Sequence, residues 1–246
     1  MLIESHRHTA ADLELWREYE AADLRWYASN RIEAKSQKAL DTIVEFTRKP
    51  CYAGISWGKD STVLAHLLHR VANEYQVCIP SFWIVVNPIC NPDCEAVEDN
   101  FLERHYLDYR RIKIECRRDL LGVHATGTLE AGFSEAMRLA KTERHLSGVR
   151  GDESGQRDMR MRTFGTMSIR TCAPIGWWSA KDVFAYLAYH KLPVHPAYGM
   201  LGGGRWQRDR LRVASLGGKR GTGIGRAEWE QEYYSDALNR LASSVK

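Results

Sequence analysis

A chain of 246 residues is long enough for one large domain, or for one domain with small appendages. Its 44% hydrophobic and 27% charged residues are ordinary for a globular protein, and no apolar run approaches the ~20 residues of a membrane span. The net charge of +4 is too mild to point to nucleic acid by itself. The opening residues, MLIESHRHTAADLELW, lack the apolar core and cleavage site of a signal peptide. A cytoplasmic location is therefore expected, with the six cysteines mostly as reduced thiols.

In chain order, the first periodic stretch runs from about Ala10 to Phe46. Leu13, Trp16, Tyr19, Leu24 and Trp26 recur at loosely helical spacings, and Ile32, Ala39, Leu40, Ile43, Val44 and Phe46 continue the pattern closer to the core. Pro50 ends it. An alternation follows. Cys51 to Ile55 reads as a buried strand and Asp60 to Val71 as a helix with Val63, Leu64, Leu67, Leu68 and Val71 on one face. Ser81 to Val86 is a second strand, Asp93 to Tyr106 a second helix, Arg110 to Ile114 a third strand, and Ala131 to Lys141 a further helix. Arg144 to Val149 is a shorter strand and Ser168 to Ile175 contains one more; helices over Ser179 to His190 and Arg226 to Ala242 complete the chain. Strands alternating with helices predict an α/β sandwich with a mostly parallel sheet covered on both faces. Ligands of such folds sit beyond the C-terminal ends of the strands.

The stretch SWGKDS, Ser56 to Ser61, occupies that position after the first strand. A helix starting near Asp60 turns free N–H groups and the positive end of its dipole toward the preceding turn, which suits an anion. Gly58 allows close backbone approach, Lys59 adds a full charge, and Ser56, Ser61 and Thr62 offer hydroxyls. Asp60 can cap the helix, orient Lys59 or meet a metal. The same residues also suit an ordinary strand-turn-helix corner. The sequence is not a Walker A loop, which needs GxxxxGK followed by Ser or Thr. From Arg205 to Arg226 the chain reads RWQRDRLRVASLGGKRGTGIGR, with Asp209 as its one acid. Two readings stay open there: a solvated loop, or a flap carrying arginines to an anionic ligand.

SWGKDS resembles the SxGKDS form of the PP-loop, the signature of the adenine nucleotide alpha-hydrolase superfamily. SGVRGDESGQRDMR, Ser147 to Arg160, resembles that superfamily's G-x-R-x-x-E segment with trailing arginines. APIGWWSAKDVFAYLAYHKLPVHPAYGM, Ala173 to Met200, resembles its PI-x-x-W-x-x-x-D-V-x-x-Y helix and the LP-x-x-P-x-Y turn that follows. The three occur in family order, and the chain is similar to the phosphoadenosine phosphosulfate (PAPS) reductase-like branch. The resemblance implies a Rossmann-like three-layer fold divided into an N-terminal helical extension (1–48), a PP-loop nucleotide-binding domain (49–200), and a basic flexible segment with a C-terminal helix (201–246). It implies nucleotide contacts from Ser56, Trp57, Gly58, Lys59, Asp60, Ser61 and Thr62, adenine near Val85 to Pro88 and so at Val86, and phosphate or sulfonate contacts from Arg150 and Arg157. Lys59, Asp60, Arg150 and Glu153 are the expected catalytic residues. Asp152 and Glu153 either hold Mg²⁺ or form ion pairs with Arg150 or Arg157. Trp57, where a glycine-rich loop would prefer no side chain, is expected to point aside and wall the site.

Reductases of this superfamily attack the sulfur of PAPS with a cysteine in a C-terminal E-C-G-x-H motif, yet no cysteine follows Cys172 here. The iron–sulfur type carries CC and CxxC, and the nearest approach is Cys90-Asn91-Pro92-Asp93-Cys94. Cys90, Cys94, Cys116 and Cys172 together number the four that a cluster needs, but idle or buried thiols are the preferred reading, and no iron–sulfur cluster is expected. Cys51 and Cys78 are expected in the core. The other branch of the superfamily cleaves ATP between its α and β phosphates. That chemistry needs positioning and neutralisation rather than a thiol. The expectation is thus adenylyl transfer from ATP or a related nucleotide (PAPS or adenylylsulfate), with Mg²⁺. A small oxyanion or a nucleic acid would be the acceptor, in sulfur metabolism or nucleic-acid modification. The alternatives are a sulfonucleotide reductase whose nucleophile is Cys90, Cys94 or Cys172, and a non-catalytic nucleotide- or DNA-binding module. His66 and His69 read as surface or packing residues, His195 as a turn residue or phosphate donor, Trp177 and Trp178 as core and cap, and Tyr198 as a neighbour of the site. The N-terminal helices offer a surface for a homodimer.

Overall fold

Pro50 cannot extend a helix and fixes its own φ, so the apolar run behind it leaves the helical path and becomes the first strand. The computed structural model of the protein describes residues 1–87, 89–115, 117–118, 125–126, 129–213, 215–216 and 226–243. The strands are Tyr52–Ile55 (β1), Ser81–Asn87 (β2), Tyr109–Glu115 (β3), Arg117–Arg118 (β4), Ala125–Thr126 (β5), His145–Leu146 (β6) and Thr171–Cys172 (β7). The helices are Ala10–Ser29 (α1), Ile32–Phe46 (α2), Lys59–Tyr75 (α3), Cys94–Leu102 (α4), Leu129–Ala140 (α5), Gly155–Phe164 (α6), Ala180–Tyr189 (α7), Arg226–Tyr233 (α8) and Ser235–Ser243 (α9). Five strands form one parallel sheet in the order β3-β2-β1-β6-β7, and β4 pairs with β5 as a small antiparallel ribbon. The chain builds outward from β1 through β2 to β3, then returns to the other side of β1 for β6 and β7. The reversal falls between β1 and β6, which is where a doubly wound sheet opens a crevice.

Alternation along the strands sorts the two faces. Ala53, Ile55, Trp83 and Val85 join the larger core, shared with Leu64, Leu67 and Val71 of α3 and with Val183 and Phe184 of α7. Tyr52, Phe82 and Ile112 face the other way, onto Ala136 of α5. The result is the three-layer, Rossmann-like α/β architecture that the element order predicts.

Several boundaries differ from expectation. The N-terminal periodic stretch is two helices, broken at Asn30 and Arg31, where Arg31 has φ 51°. The closing helix is likewise two, α8 and α9. The strand expected over Arg144 to Val149 shortens to β6, since the residues after it turn into the crevice. Helix α6 was not anticipated: it buries only Met161, so its sequence carries little amphipathic signal. Trp178 is buried, whereas Trp177 is 54% exposed and outside the core.

The N-terminal extension is fastened to the rest by buried polar contacts. Trp16 meets Phe184 edge-on at 6.1 Å, and Trp26 Nε1 donates to Asp182 Oδ1 at 3.0 Å. Asp12 accepts from the Leu201 N–H (3.0 Å) and the Tyr233 hydroxyl (2.9 Å). Arg208 forms a bidentate pair with Asp23 at 2.7 and 2.6 Å and lies over the rings of Trp16, Tyr19 and Phe184. The first arginines of the basic stretch are therefore structural: Arg205 pairs with Glu228 and Glu232, and Arg208 anchors to α1. Residues 214 and 217–225 of that stretch lie outside the described residues.

Four histidines gather where α3, the end of α4 and the end of α7 meet. Ring centroids are 5.2 Å apart for His66 and His105, 4.9 Å for His66 and His190, and 5.0 Å for His69 and His105. Burial, reinforced by neighbouring imidazoles, lowers the His66 pKa to about 2; burial is also the main cause that lowers His190 to about 4. Both are held neutral in the fold, while the unfolded chain takes up their protons near pH 6.5. Their contribution to stability is thus fully present above about pH 6.5. As pH falls from there toward 4 it is lost, by up to about 1.4 kcal/mol per pH unit for each imidazole. Urea midpoints measured at pH 7.5 and pH 5 should fall accordingly, and His190→Asn should flatten the decline.

Candidate active site

The crevice predicted by the strand order is a cleft of about 1150 Å³. Its floor is the end of β1 and the loop after it, with Ser56, Gly58, Lys59, Asp60 and Ser61 all lining it. One wall is the segment after β6, from Ser147 to Arg150. Val86 at the end of β2 and Cys90 beyond it line the cleft, and Gln207 to Val213 pass along its rim.

The loop is braced from within. Ser61 Oγ accepts from the Ser56 N–H at 3.1 Å and donates to the Gly58 carbonyl at 3.1 Å. Gly58 is the N-cap of α3, so the first N–H groups of that helix open toward the cleft. One of them, on Lys59, donates to Tyr198 Oη at 3.1 Å. A Cβ on Gly58 would lie 3.3 Å from both Tyr198 Oη and Val213 Cγ2, so the turn after α7 and the basic segment close directly on the loop. A Cβ on Gly148 would lie 2.9 Å from the Asp60 carbonyl carbon and oxygen. Only glycine lets the wall after β6 press this closely on the start of α3.

Charge in the cleft is organised around Asp60. Its Oδ2 is 3.0 Å from Lys59 Nζ and its Oδ1 2.6 Å from Arg150 Nε. Arg150 is 1% exposed and also donates to Asp152 Oδ2 and the Trp178 carbonyl, each at 3.1 Å. Burial works against the charge on Lys59, but Tyr198 and Asp60 outweigh it and raise its pKa; for Arg150, Asp60 likewise overcomes burial. Both stay cationic beside the open N–H groups. Two cations fixed by one carboxylate beside open N–H groups are a geometry that suits an anion.

Asp152 and Glu153 line the cleft, and each has one carboxylate oxygen in an ion pair. Asp152 Oδ2 accepts from Arg150 and from the Ala180 N–H at 2.9 Å, holding the start of α7. Glu153 Oε2 accepts from the Arg150 N–H at 3.0 Å and pairs with Arg157 Nη1. The ion pairs of that alternative are present, with one Glu153 oxygen holding the turn at Arg150. Among the described residues, no three His, Cys, Asp or Glu side chains gather as a metal-holding group. The donor set suits a cation carried in on phosphate oxygens and offers no protein cage for one.

Two expected nucleotide-contact residues, Thr62 and Trp57, do not line the cleft. Thr62 is 1% exposed and its hydroxyl donates to the Gly58 carbonyl at 3.1 Å, so it serves the helix cap. Trp57 is fully buried, outside the cleft. Its Nε1 donates to Tyr109 Oη at 3.0 Å and its ring packs 5.4 Å from Phe101. The indole occupies the core between β3 and α4 and thereby holds φ 56° at a residue with a side chain. Trp57→Gly would suit that φ yet empty a large volume, so it should destabilise by about 3 kcal/mol net and weaken nucleotide binding with it. Denaturant midpoints and calorimetry on the variant check both.

Of the remaining expected residues, Arg157 lines the cleft, and Val86 does so from the end of β2, while Pro88 and Cys116 lie outside the described residues. His195 caps the short turn Pro196–Gly199 by accepting the Ala197 N–H, and does not line the cleft. Cys172 on β7 lies three strand positions from β2, a lateral offset of about 14 Å, and Cys90 lies further on beyond the end of β2, so the two are too far apart to share a cluster. Burial raises Cys172 to about 12 and Cys51 to about 11, which makes both inert as nucleophiles. Cys78 is exposed, not core. Arg210 and Arg212 line the cleft and are exposed. The high arginine density of their segment was the one signal of them in the sequence.

Residues 50–218 match the family described as phosphoadenosine phosphosulfate reductase domain. No curated protein matches the chain. Among solved structures, the FMN adenylyltransferase of Candida glabrata is similar at 16% identity, over 76% of this chain and 67% of that one, with a TM-score of 0.47. The U34-tRNA thiolase NcsA of Methanococcus maripaludis, solved with its 4Fe–4S cluster, is similar at 17% identity, over 87% and 74%, with a TM-score of 0.43.

Proposed function

The chain belongs to the phosphoadenosine phosphosulfate reductase domain family, and from that premise we propose that it binds ATP and transfers its adenylyl group to an anionic acceptor with release of pyrophosphate. The observation that carries the reading is the pairing of the α3 N-terminus with Lys59 and Arg150, both fixed on Asp60, in a cleft of nucleotide size. An acceptor oxygen attacks the α-phosphorus, the bond to the bridging oxygen breaks, and pyrophosphate departs with that oxygen. The charge that develops on the departing group meets N–H donors and cations already in place, so little reorganisation is needed in the transition state. Asp60 keeps Lys59 and Arg150 oriented rather than joining the reaction. Mg²⁺ would travel with the phosphates, and no step above depends on a protein-held metal. Arg157, Arg210 and Arg212 at the rim favour an acceptor that is itself anionic.

Cys172, one of the candidate nucleophiles for thiol-based reduction, is buried, does not line the cleft and has its thiol pushed up to about 12, which favours adenylyl transfer over reduction through that residue. Calorimetry with ATP, adenylylsulfate, PAPS and AMP, followed by a pyrophosphate-release assay, tests the proposal. ATP binding with acceptor-dependent pyrophosphate release is expected. Sulfite release from PAPS with no pyrophosphate from ATP would overturn it.

A further inference from the structure

Tyr198 belongs to the short turn after α7, yet its hydroxyl meets the loop between β1 and α3. The residue lines the cleft and is buried. Its Oη accepts from the Lys59 N–H at 3.1 Å, the first helical N–H of α3, and a Cβ on Gly58 would lie 3.3 Å from the same oxygen. The Lys59 ammonium lies 5.3 Å from the centre of the ring. One lone pair of the hydroxyl is thus engaged, while its own hydrogen has no acceptor among the described residues. Burial raises the pKa of the phenol against the pull of Lys59, so that hydrogen stays on the oxygen at neutral pH. The turn beneath the ring is braced. His195 Nδ1 accepts the Ala197 N–H at 3.1 Å, and His8 Nε2 donates to the Pro196 carbonyl at 2.8 Å. A Cβ on Gly199 would lie 2.6 Å from Leu2 Cδ2, and Phe184 meets the Tyr198 ring edge-on at 5.5 Å.

We propose that the Tyr198 hydroxyl is a third phosphate-binding group of this site, donating its hydrogen to the nucleotide phosphate seated at the α3 N-terminus. The first N–H of the helix would then reach the phosphate through an O–H. A hydroxyl that accepts from a helix N-terminus is polarised by it and donates more strongly. Lys59 and Arg150 supply charge; Tyr198 supplies a neutral donor on a fixed turn, and its bond strengthens as negative charge grows on the oxygen it meets. No proton is transferred. The inference rests on the nucleotide reading above and adds to it a residue from outside the loop.

Two replacements separate donation from mere support. Tyr198→Phe keeps the ring and its contact with Phe184 and deletes only the hydroxyl. By calorimetry its Kd for ATP should rise about tenfold, while its Kd for adenosine stays at the wild-type value. Installing 3-fluorotyrosine at position 198 keeps the hydroxyl but makes it a stronger donor and a weaker acceptor. At pH 6.5, with the phenol protonated, that protein should bind ATP about twofold more tightly than wild type. A hydroxyl that only accepts from Lys59 gives the opposite sign, with ATP binding weakened or unchanged by fluorine, and that result overturns the proposal. Equal weakening of ATP and adenosine in Tyr198→Phe overturns it as well. The fluorinated protein retains every contact of Tyr198, so the test does not depend on how well Tyr198→Phe folds. Wild type that binds ATP without acceptor-dependent pyrophosphate release would sink adenylyl transfer and leave the donor role standing, since that role is read in the binding; wild type that binds no ATP would sink both.

Discussion

Replacing Lys59 with alanine is expected to slow pyrophosphate release from ATP by about 10²–10³-fold, a loss of about 3–4 kcal/mol in transition-state stabilisation. The reason is positional. Lys59 is 5% exposed, its backbone N–H is held by Tyr198, and its ammonium is fixed by Asp60 3.0 Å away and lies 5.3 Å from the centre of the Tyr198 ring. A cation held this way meets developing charge without first giving up a hydration shell. The fold should survive the change, because Asp60 keeps its shorter contact with Arg150. The expected pattern is a fall in kcat larger than any rise in KM, with a denaturant midpoint close to wild type. Activity within threefold of wild type would show that the loop is not the phosphate cradle.

What the sequence made legible, and what it did not, follows from the range of the interactions involved. The parallel sheet could be read because its strands are apolar runs between helices of ordinary periodicity, both of which are local signals. The loop could be read because SWGKDS places small, charged and hydroxylic residues at one strand-to-helix turn. The behaviour of individual side chains within it could not. Trp57 leaves the cleft because Tyr109 and Phe101, some fifty and forty residues on, offer it a hydrogen bond and a pocket. Thr62 is drawn to a carbonyl in its own helical turn rather than to a ligand. Asp152 and Glu153 look like metal ligands as a neighbouring pair. Which positive group each would face was settled by the close packing of three segments around Arg150, and spacing along the chain carries no information about that. The split of the basic stretch is of the same kind. Arg208 is structural because Asp23 waits on α1, whereas Arg210 and Arg212, two and four residues later, line the cleft.

Arg150 is where stability and function are least separable, and its removal is expected to be the most damaging single change. Arg150→Met deletes a guanidinium that is 1% exposed and serves Asp60, Asp152 and the Trp178 carbonyl. Lys59 still faces Asp60, but a buried guanidinium with three acceptors is lost and the Trp178 carbonyl loses a donor, at a cost of about 3 kcal/mol. Asp60→Asn should also destabilise the fold, since it weakens the shortest contact of the guanidinium and leaves the buried Lys59 ammonium without its carboxylate. The double variant Arg150→Met with Asp60→Asn removes both charges, so its loss should fall short of the sum of the two singles by about 1–3 kcal/mol. Chemical denaturation of all four proteins measures that coupling. Nucleotide affinity adds a second axis: the double variant should regain stability relative to the sum but not binding, because the restored balance is one of charge within the protein and supplies no cation to the phosphates. A strictly additive pair would mean that Asp60 and Arg150 do not act as a unit, and the cleft would then have to orient its cations by some other contact.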